Sequence, residues 1–455
     1  MSIFNNRRLS NTVFKLDIER MRRGWYSDKY FLNINHTLIL LAQEGYRFAG
    51  SSPRLAGMGL DASVVATGNI EVEMQWFTRR KPFALIAGVD KALSMLRHCT
   101  GYFDENDQFV ETWDQLDVEA VEDGVITHYH GDPRRVRPVI RVRGRYRDFA
   151  LLETPTLGAL ARASRIATNV YNTLVAARGK PVLFFPARFD AHEVQAADGY
   201  AYDIAVQRFN LDHGERVRSF VSTDAQGDWW GGLGGGTVAH AAIASFFGDT
   251  VEAMLAFSAT QPPDVPRIAL VDFENDSVGT SLAVLKAMFD CYRAALDRGD
   301  KTEARKYQLY GVRLDTSGNM RDVCVPPIGE KRLDNGVNPR LVWTVRQALD
   351  NAWESWDVPA GWLTRAADYC RQVQIVASGG FNPAKIAWFE ELSVPVDIYG
   401  VGSSLMSNDD SLGTNTDFTA DVVRVKIGGE WIDMAKRGRH VAHNPDLKRV
   451  DLEAF

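Results

Sequence analysis

Cysteine is scarce in this 455-residue chain: there are four, Cys99, Cys291, Cys324 and Cys370, and no Cys-x-x-Cys pair. That spacing excludes a disulfide framework and a zinc knuckle, and predicts four separate buried thiols. Long apolar runs are missing too. Stretches such as 37–42 and 182–185 fall far short of the roughly 20 residues that cross a bilayer, and residues 1–23 hold no run of signal-peptide length. The expectation is a soluble cytoplasmic protein with no membrane partner. Nor is there an excess of positive charge: 52 Lys and Arg against 58 Asp and Glu leave −6. Nothing in that balance draws the chain toward nucleic acid, and the local basic clusters over 134–147 and 436–449 read as solvated faces. No internal repeat of roughly 20 to 50 residues is present, which excludes solenoids and propellers. What remains, 45% hydrophobic and 24% charged residues, is a globular composition. A chain of this length suits two or three domains, or one large α/β unit with an appendage.

Apolar residues at helical spacing, Phe31, Ile34, Leu38 and Leu41, predict that the first 45 residues are helical. Alternation over 70–77 predicts a strand, and a helix follows over 88–97. Residues 109–150 combine valine and charge with Gly124, Gly131 and Gly144 as punctuation, which predicts short antiparallel strands. From about 155 the grammar changes. Short β-branched runs at 181–185, 267–273, 309–314, 373–377 and 396–401 alternate with amphipathic helical patterns at 281–298, 338–353, 363–371 and 383–392. That alternation is what parallel βα units require, and it predicts a barrel or an open parallel sheet.

The carboxyl ends of those five runs carry the chemistry. In order they present Phe185 and Arg188; Asp272 and Asp276; Arg313 and Asp315; Ser378, Gly379 and Gly380; and Gly400, Gly402 and Ser403. In a (β/α) barrel such ends converge on one face, where loops build the active site. Bare glycine N–H groups at 379–380 and 400–403, the first pair opening a helix at Asn382, suit a phosphate monoester; a tight turn is the plainer alternative for either loop alone. Asp272, Glu274, Asp276 and Asp315 offer carboxylates, of which one or two with waters would hold Mg2+. Arg313 and Asp315 share one side of their run, as substrate ligands or as a structural ion pair. The densest glycine stretch, 231–236, leads to His240, whose near-neutral pKa suits a base or a nucleophile toward phosphate.

Taken in order, these residues resemble the nicotinate phosphoribosyltransferases and their nicotinamide-using relatives, the type II phosphoribosyltransferases of NAD salvage. Ser27-Asp28-Lys29-Tyr30 resembles the family's Thr-Asp-x-Tyr, and 77–83 with 87–89 resembles its Phe-Arg-x-x-Pro and Ala-Gly-Leu segment. Leu151-Leu-Glu-Thr-Pro155 is similar to the signature that opens the second domain, and Phe185-Pro-Ala-Arg188 stands where the family has Phe-Gly-x-Arg. The series continues with Gly236-Thr-Val-Ala-His240, Gly311-Val-Arg-Leu-Asp-Thr-Ser-Gly318, Ala377-Ser-Gly379 and Asp397-Ile-Tyr-Gly-Val-Gly-Ser403.

The resemblance implies an α/β fold: an irregular (β/α) barrel over 155–405 packed on an α+β sandwich made of 1–154 and the returning segment 406–455. It implies transfer of phosphoribosyl from 5-phosphoribosyl 1-diphosphate to the ring nitrogen of nicotinate, with Mg2+, with ATP as co-substrate, and in a homodimer. Tyr30 from a second subunit and Phe185 would sandwich the pyridine, and Arg188 would pair with its carboxylate. Thr223 and Asp224 would meet the ring substituent. Asp315 would face ribose or metal, with Asp272 the second candidate metal ligand, and Arg313 the diphosphate or the ring substituent. Ser378, Gly379, Gly380, Gly400, Gly402 and Ser403 would hold phosphate, and His240 would be phosphorylated by ATP. Lys436, Arg437 and Arg439 would touch phosphate across the dimer.

Three positions depart from the family pattern. Pro186 replaces a glycine and stiffens its turn. Asp224 resembles the nicotinamide-using branch, because a carboxylate there accepts from an amide and repels an acid. Asn319 replaces an acidic residue. The rivals are therefore a nicotinamide enzyme and a non-catalytic relative that binds metabolite without turnover. A sugar-phosphate aldolase or isomerase would need a lysine or a base at a strand end, and no lysine stands at the five ends.

Overall fold

A computed structural model describes residues 3–5, 7–236, 238–409 and 415–454; Thr237 of the glycine-rich run lies outside them. The chain divides into two compact units, the first made of Met1–Thr168, Tyr200–Arg208 and Ser407–Phe455 and the second of Asn169–Gly199 and Phe209–Met406.

The first unit is built on a six-stranded sheet in the order Glu430–Asp433, Phe418–Ile427, Glu71–Thr78, Ile140–Arg145, Asp117–Ala120, Lys448–Arg449, antiparallel throughout. Alternation decides its two faces. Val72, Met74, Trp76, Ile140 and Val142 enter the core with Val89, Leu93 and Leu96 of the helix Val89–Cys99. Glu73 points the other way and is nevertheless fully buried, because Arg143 (2.7 Å), Arg424 (3.7 Å) and Arg141 (3.8 Å) close over it. These arginines are paired again, Arg143 to Asp117 and Arg141 to Glu119, each at 2.9 Å. The strand part of the basic cluster over 134–147 is therefore an internal ion-pair ladder, whereas Arg134, Arg135 and Arg137 stand out in solvent. In the later cluster, Arg439 is held by Asp421 at 2.8 Å while Lys436 and Arg437 are exposed.

The N-terminal helicity is broken into three pieces, Asn11–Phe14, Ile18–Arg22 and Lys29–Gln43. The first stops at Lys15, which adopts φ +50°, and Gly24 at φ +68° turns the chain after the second. A left-handed residue ends a helix because its backbone cannot continue the right-handed ladder. All four cysteines are free; Cys99 and Cys370 are buried as expected, whereas Cys291 and Cys324 are only half-buried.

The second unit is α/β. Its strands are β1 (Val182–Phe184), β2 (Arg267–Leu270), β3 (Leu309–Leu314), β4 (Gln374–Ala377) and β5 (Ile398–Val401), all parallel, in the order β1-β5-β4-β3-β2. Single-residue parallel bridges carry the array past β1, from Phe184 to Val221 and from Val221 to Gly234. Helices Ser277–Asp297, Pro339–Asn351, Leu363–Arg371 and Pro383–Glu391 connect the strands where the amphipathic patterns stand. Helices Gln195–His213 and Thr250–Thr260, which that patterning did not mark, have apolar residues spread around them rather than along one stripe. Within the unit, Leu183, Val376 and Ile398 pack with Phe185, Phe220 and Ile268. Among the described residues, no helix is long and apolar enough to cross a membrane.

Candidate active site

The parallel register sets the carboxyl ends of the strands side by side. Past the end of β2, Val271 N–H donates to Arg313 O (3.2 Å), and Asp272 follows directly. Past β3 comes Asp315. From β4, Ser378 N–H donates to Leu314 O (2.9 Å), which brings the Ser378 hydroxyl within 2.9 Å of Asp315 Oδ1 and 3.0 Å of Leu314 O. Ser378 is buried, and its single proton is divided between those acceptors. It positions the Asp315 carboxylate.

His240 opens the helix His240–Ser245 on the other side of Asp272, with Nε2 at 3.1 Å from Asp272 Oδ1. Burial pushes the Asp272 carboxyl above the usual range, the charge of Asp315 adds to that, and His240 opposes it. Neighbouring carboxylates are an oxygen-donor set for a hard cation that keeps most of its waters. Asp272 and Asp315 fit Mg2+ in that sense. Asp276 does not join them, because its Oδ1 accepts from Gly279 N–H (2.8 Å) as the cap of helix Ser277–Asp297. Among the described residues, no cluster of three or more His, Cys, Asp or Glu forms a closed metal cage.

The aromatic part of the site comes from β1. Phe185 N–H donates to Val401 O (2.9 Å), and its half-buried ring meets Phe220 edge-on at 6.5 Å. The Arg313 guanidinium lies 5.9 Å from the centre of that ring. Arg313 Nε and Thr316 Oγ1 are both buried without a hydrogen-bond partner. The two atoms flank Asp315.

Glycine is required at the loops for two different reasons. Gly379 and Gly380 have φ +84° and +70°, a conformation side chains resist. At Gly400 and Gly402 the reason is space: a Cβ on Gly400 would stand 2.7 Å from the Phe185 ring and 3.1 Å from Ser378 Cβ, and one on Gly402 2.6 Å from the Phe189 ring. The helix after the first loop, Pro383–Glu391, is capped by Asn382, whose Oδ1 accepts from Lys385 N–H (2.9 Å). Ser403 is exposed at the start of the turn Ser403–Met406.

The other candidates are placed less centrally. Pro186 occupies the first position of the turn Pro186–Arg188, where its missing N–H costs nothing. Arg188 is exposed, 5.7 Å over the Phe189 ring. Thr223 caps helix Asp224–Gly227 in a reciprocal box with Gln226, and its hydroxyl donates to Gln195 Oε1 (2.8 Å). Asp224 Oδ1 accepts from Gly234 N–H (2.9 Å), so one carboxylate oxygen is taken up in holding the glycine-rich run. Tyr30 lies in the first unit, at the start of helix Lys29–Gln43; it is 62% exposed and its hydroxyl donates to Asp28 Oδ2 (3.0 Å). Sequence reasoning did not find Gln195 or Phe220, whose partners lie 28 and 35 residues away and leave no local spacing signal.

The sequence matches no protein-family model and no curated protein. Among solved structures it is similar to nicotinate-nucleotide pyrophosphorylase from Pyrococcus furiosus, with 25% identity, a TM-score of 0.59, and coverage of 94% of this chain and 80% of that one. That likeness in fold agrees with the resemblance to the type II phosphoribosyltransferases. A further structure, human nicotinic acid phosphoribosyltransferase, is similar at 16% identity over 90% of this chain and 76% of that one, with a TM-score of 0.49. The carboxylates, Arg313 and the glycine loops stand on successive strands of the parallel array.

Proposed function

We propose that this phosphoribosyltransferase moves the phosphoribosyl group of 5-phosphoribosyl 1-diphosphate to the ring nitrogen of nicotinate, releasing diphosphate and nicotinate mononucleotide. The observation that carries the reading is the row Phe185, Gly400, Ser378, Asp315 and Asp272 along adjacent strand ends, with the unpartnered Arg313 Nε beside it. The relative from Pyrococcus furiosus is named for a nicotinate nucleotide, which supports a pyridine carboxylate as acceptor.

A pyridine nitrogen carries a free lone pair, so the protein needs no general base. Its work is to position the two reactants and to stabilise an oxocarbenium-like ribose and a departing diphosphate. In this reading Phe185 stacks the ring and Arg188 pairs with its carboxylate, a task that suits a planar fork. Asp315, held by Ser378, faces the ribose; Arg313 takes diphosphate charge; and the Gly379–Gly380 and Gly400–Ser403 loops take phosphate. Asp272 and Asp315 would hold Mg2+, which supplies charge neutralisation for the leaving diphosphate when bound. His240, steadied by Asp272, would accept phosphate from ATP. A homodimer that brings an exposed Tyr30 to the partner's pyridine completes the site.

The test is diphosphate release from 5-phosphoribosyl 1-diphosphate and Mg2+ with nicotinate or nicotinamide, each with and without ATP. Release with nicotinate that rises with ATP is expected. Release with nicotinamide alone would transfer the specificity to Asp224, and silence with both would overturn the reading.

A further inference from the structure

Lys385 stands in the first turn of helix Pro383–Glu391, seven residues after Ser378, and the family resemblance gives it no task. Its ammonium folds back against the glycine loop. Nζ lies 4.1 Å from the centre of the Phe381 ring and 5.8 Å from that of Phe389, and it donates to Gly379 O at 3.4 Å. That long bond to a neutral carbonyl is its polar contact. Among the described residues no carboxylate comes within ion-pair distance of it. Burial alone lowers its pKa, to about 8, and no neighbouring charge of either sign contributes.

A half-buried ammonium with no anion is expensive, because burial removes water without supplying a counter-charge. Elsewhere the same unit pairs its buried cations: Lys180 is bound to Glu390 at 2.7 Å, and the guanidinium of Arg267 is ringed by the carbonyls of Ser258, Gln261, Pro262 and Val265. Lys385, like Arg313, lacks such a partner, and it sits where Gly379 and Gly380 turn their backbone in left-handed conformations ahead of a capped helix. Aromatic faces on one side and a carbonyl on the other hold the ammonium at the loop while leaving its charge unanswered.

We infer that Lys385 is a phosphate-binding residue of this site, its ammonium supplying the counter-charge for a phosphate monoester held on the Gly379–Gly380 loop. The inference rests on the proposed phosphoribosyl transfer for the identity of the ligand, the phosphate of the phosphoribosyl donor. Phosphate binding itself can be measured apart from turnover.

The experiment is calorimetric titration of the full chain with inorganic phosphate and with 5-phosphoribosyl 1-diphosphate at pH 8, in two buffers of different ionisation enthalpy. An anion arriving beside Lys385 raises its pKa, so binding to the native chain takes up protons, and the apparent enthalpy differs between buffers. Lys385→Met is expected to weaken both ligands about tenfold or more and to abolish the proton uptake; Lys385→Arg restores affinity without the uptake, because guanidinium does not titrate there. In turnover, Lys385→Met raises KM for the phosphoribosyl donor far more than it lowers kcat. Unchanged affinity and proton uptake in a Lys385→Met chain with a native thermal transition overturns the inference. Failure of the native chain to release diphosphate with any pyridine overturns the proposed reaction instead, and leaves the phosphate titration to decide Lys385 on its own.

Discussion

His240 Nε2 and Asp272 Oδ1 stand 3.1 Å apart although 32 residues separate them in the chain. A carboxylate on one ring nitrogen fixes the orientation of the imidazole and leaves Nδ1 as the nitrogen free to attack. His240→Asn is therefore expected to remove stimulation by ATP while leaving ATP-independent diphosphate release within a few-fold of native. Because Asp272 is held above the usual carboxylate range, it protonates early as pH falls and releases the histidine. ATP stimulation should fade on the acid side sooner than an ordinary carboxylate would cause; a pH series of ATP hydrolysis checks this, and Asp272→Asn should lack the acid limb.

Removing the Asp315 charge should be far more damaging than removing the group that holds it. Asp315→Asn is expected to lower kcat by about 10² to 10³, the usual loss for a group that stabilises transition-state charge. Ser378→Ala removes one hydrogen bond to a charged group, about 1.5–3 kcal/mol, and should cost roughly ten- to a hundredfold. Steady-state kinetics of the two variants distinguishes them; equal losses would make Ser378 more than a positioning residue.

At Gly400 a methyl group has nowhere to go. Gly400→Ala would place a carbon 2.7 Å from the Phe185 ring, so the ring or the strand must shift. The expected destabilisation is about 1–3 kcal/mol, as for other overpacked sites. A urea midpoint measures it, and saturation with nicotinate should weaken in parallel.

Asp123 gives the first unit a pH dependence of the opposite sign to acid denaturation. It is buried, accepts from Val89 N–H (2.8 Å) and Tyr200 Oη–H (3.1 Å), and faces Asp90, which Arg8 holds at 2.7 Å. Burial first, and the charge of Asp90 second, push its carboxyl up to about 7. The folded chain thus binds a proton more tightly than the unfolded one. This stabilisation is complete below about pH 4, the ordinary carboxylate value, and is lost as pH rises toward 7. Asp123→Asn should raise Tm at pH 8 and match native at about pH 4 and below; no gain at pH 8 would mean the carboxylate is solvated after all.

The strands and connecting helices of the second unit were legible because their signal is local. The β-branched runs at 267–273 and 309–314 each contain an observed strand, and alternation at 70–77 revealed the strand Glu71–Thr78. Family motifs located the strand-end residues. What could not be read was how those residues use their atoms. Nothing in the sequence says that Ser378 spends its proton on Asp315, that Asp224 holds Gly234, or that Asp276 caps a helix, since each depends on partners fixed by the fold. The arginines over 134–147 looked like a solvated face because their carboxylates, Glu73, Asp117 and Glu119, lie on neighbouring strands far away in sequence. The breaks at Lys15 and Gly24 escaped for a different reason: the apolar spacing at Phe31, Ile34, Leu38 and Leu41 lies wholly within Lys29–Gln43 and carries no information about the residues before it.

The order of strands in the parallel sheet differs from their order in the chain. β1, which carries Phe185, is the first of the five to be synthesised, yet its sheet neighbour is β5, the last, through Val182–Tyr399, Leu183–Gly400 and Phe184–Val401. A nascent chain that has not yet delivered Ile398–Val401 already contains both carboxylates and the serine, but its aromatic wall has no strand to lie against. The edge that carries Phe185 is thus completed only when Ile398–Val401, more than 200 residues further along the chain, has emerged.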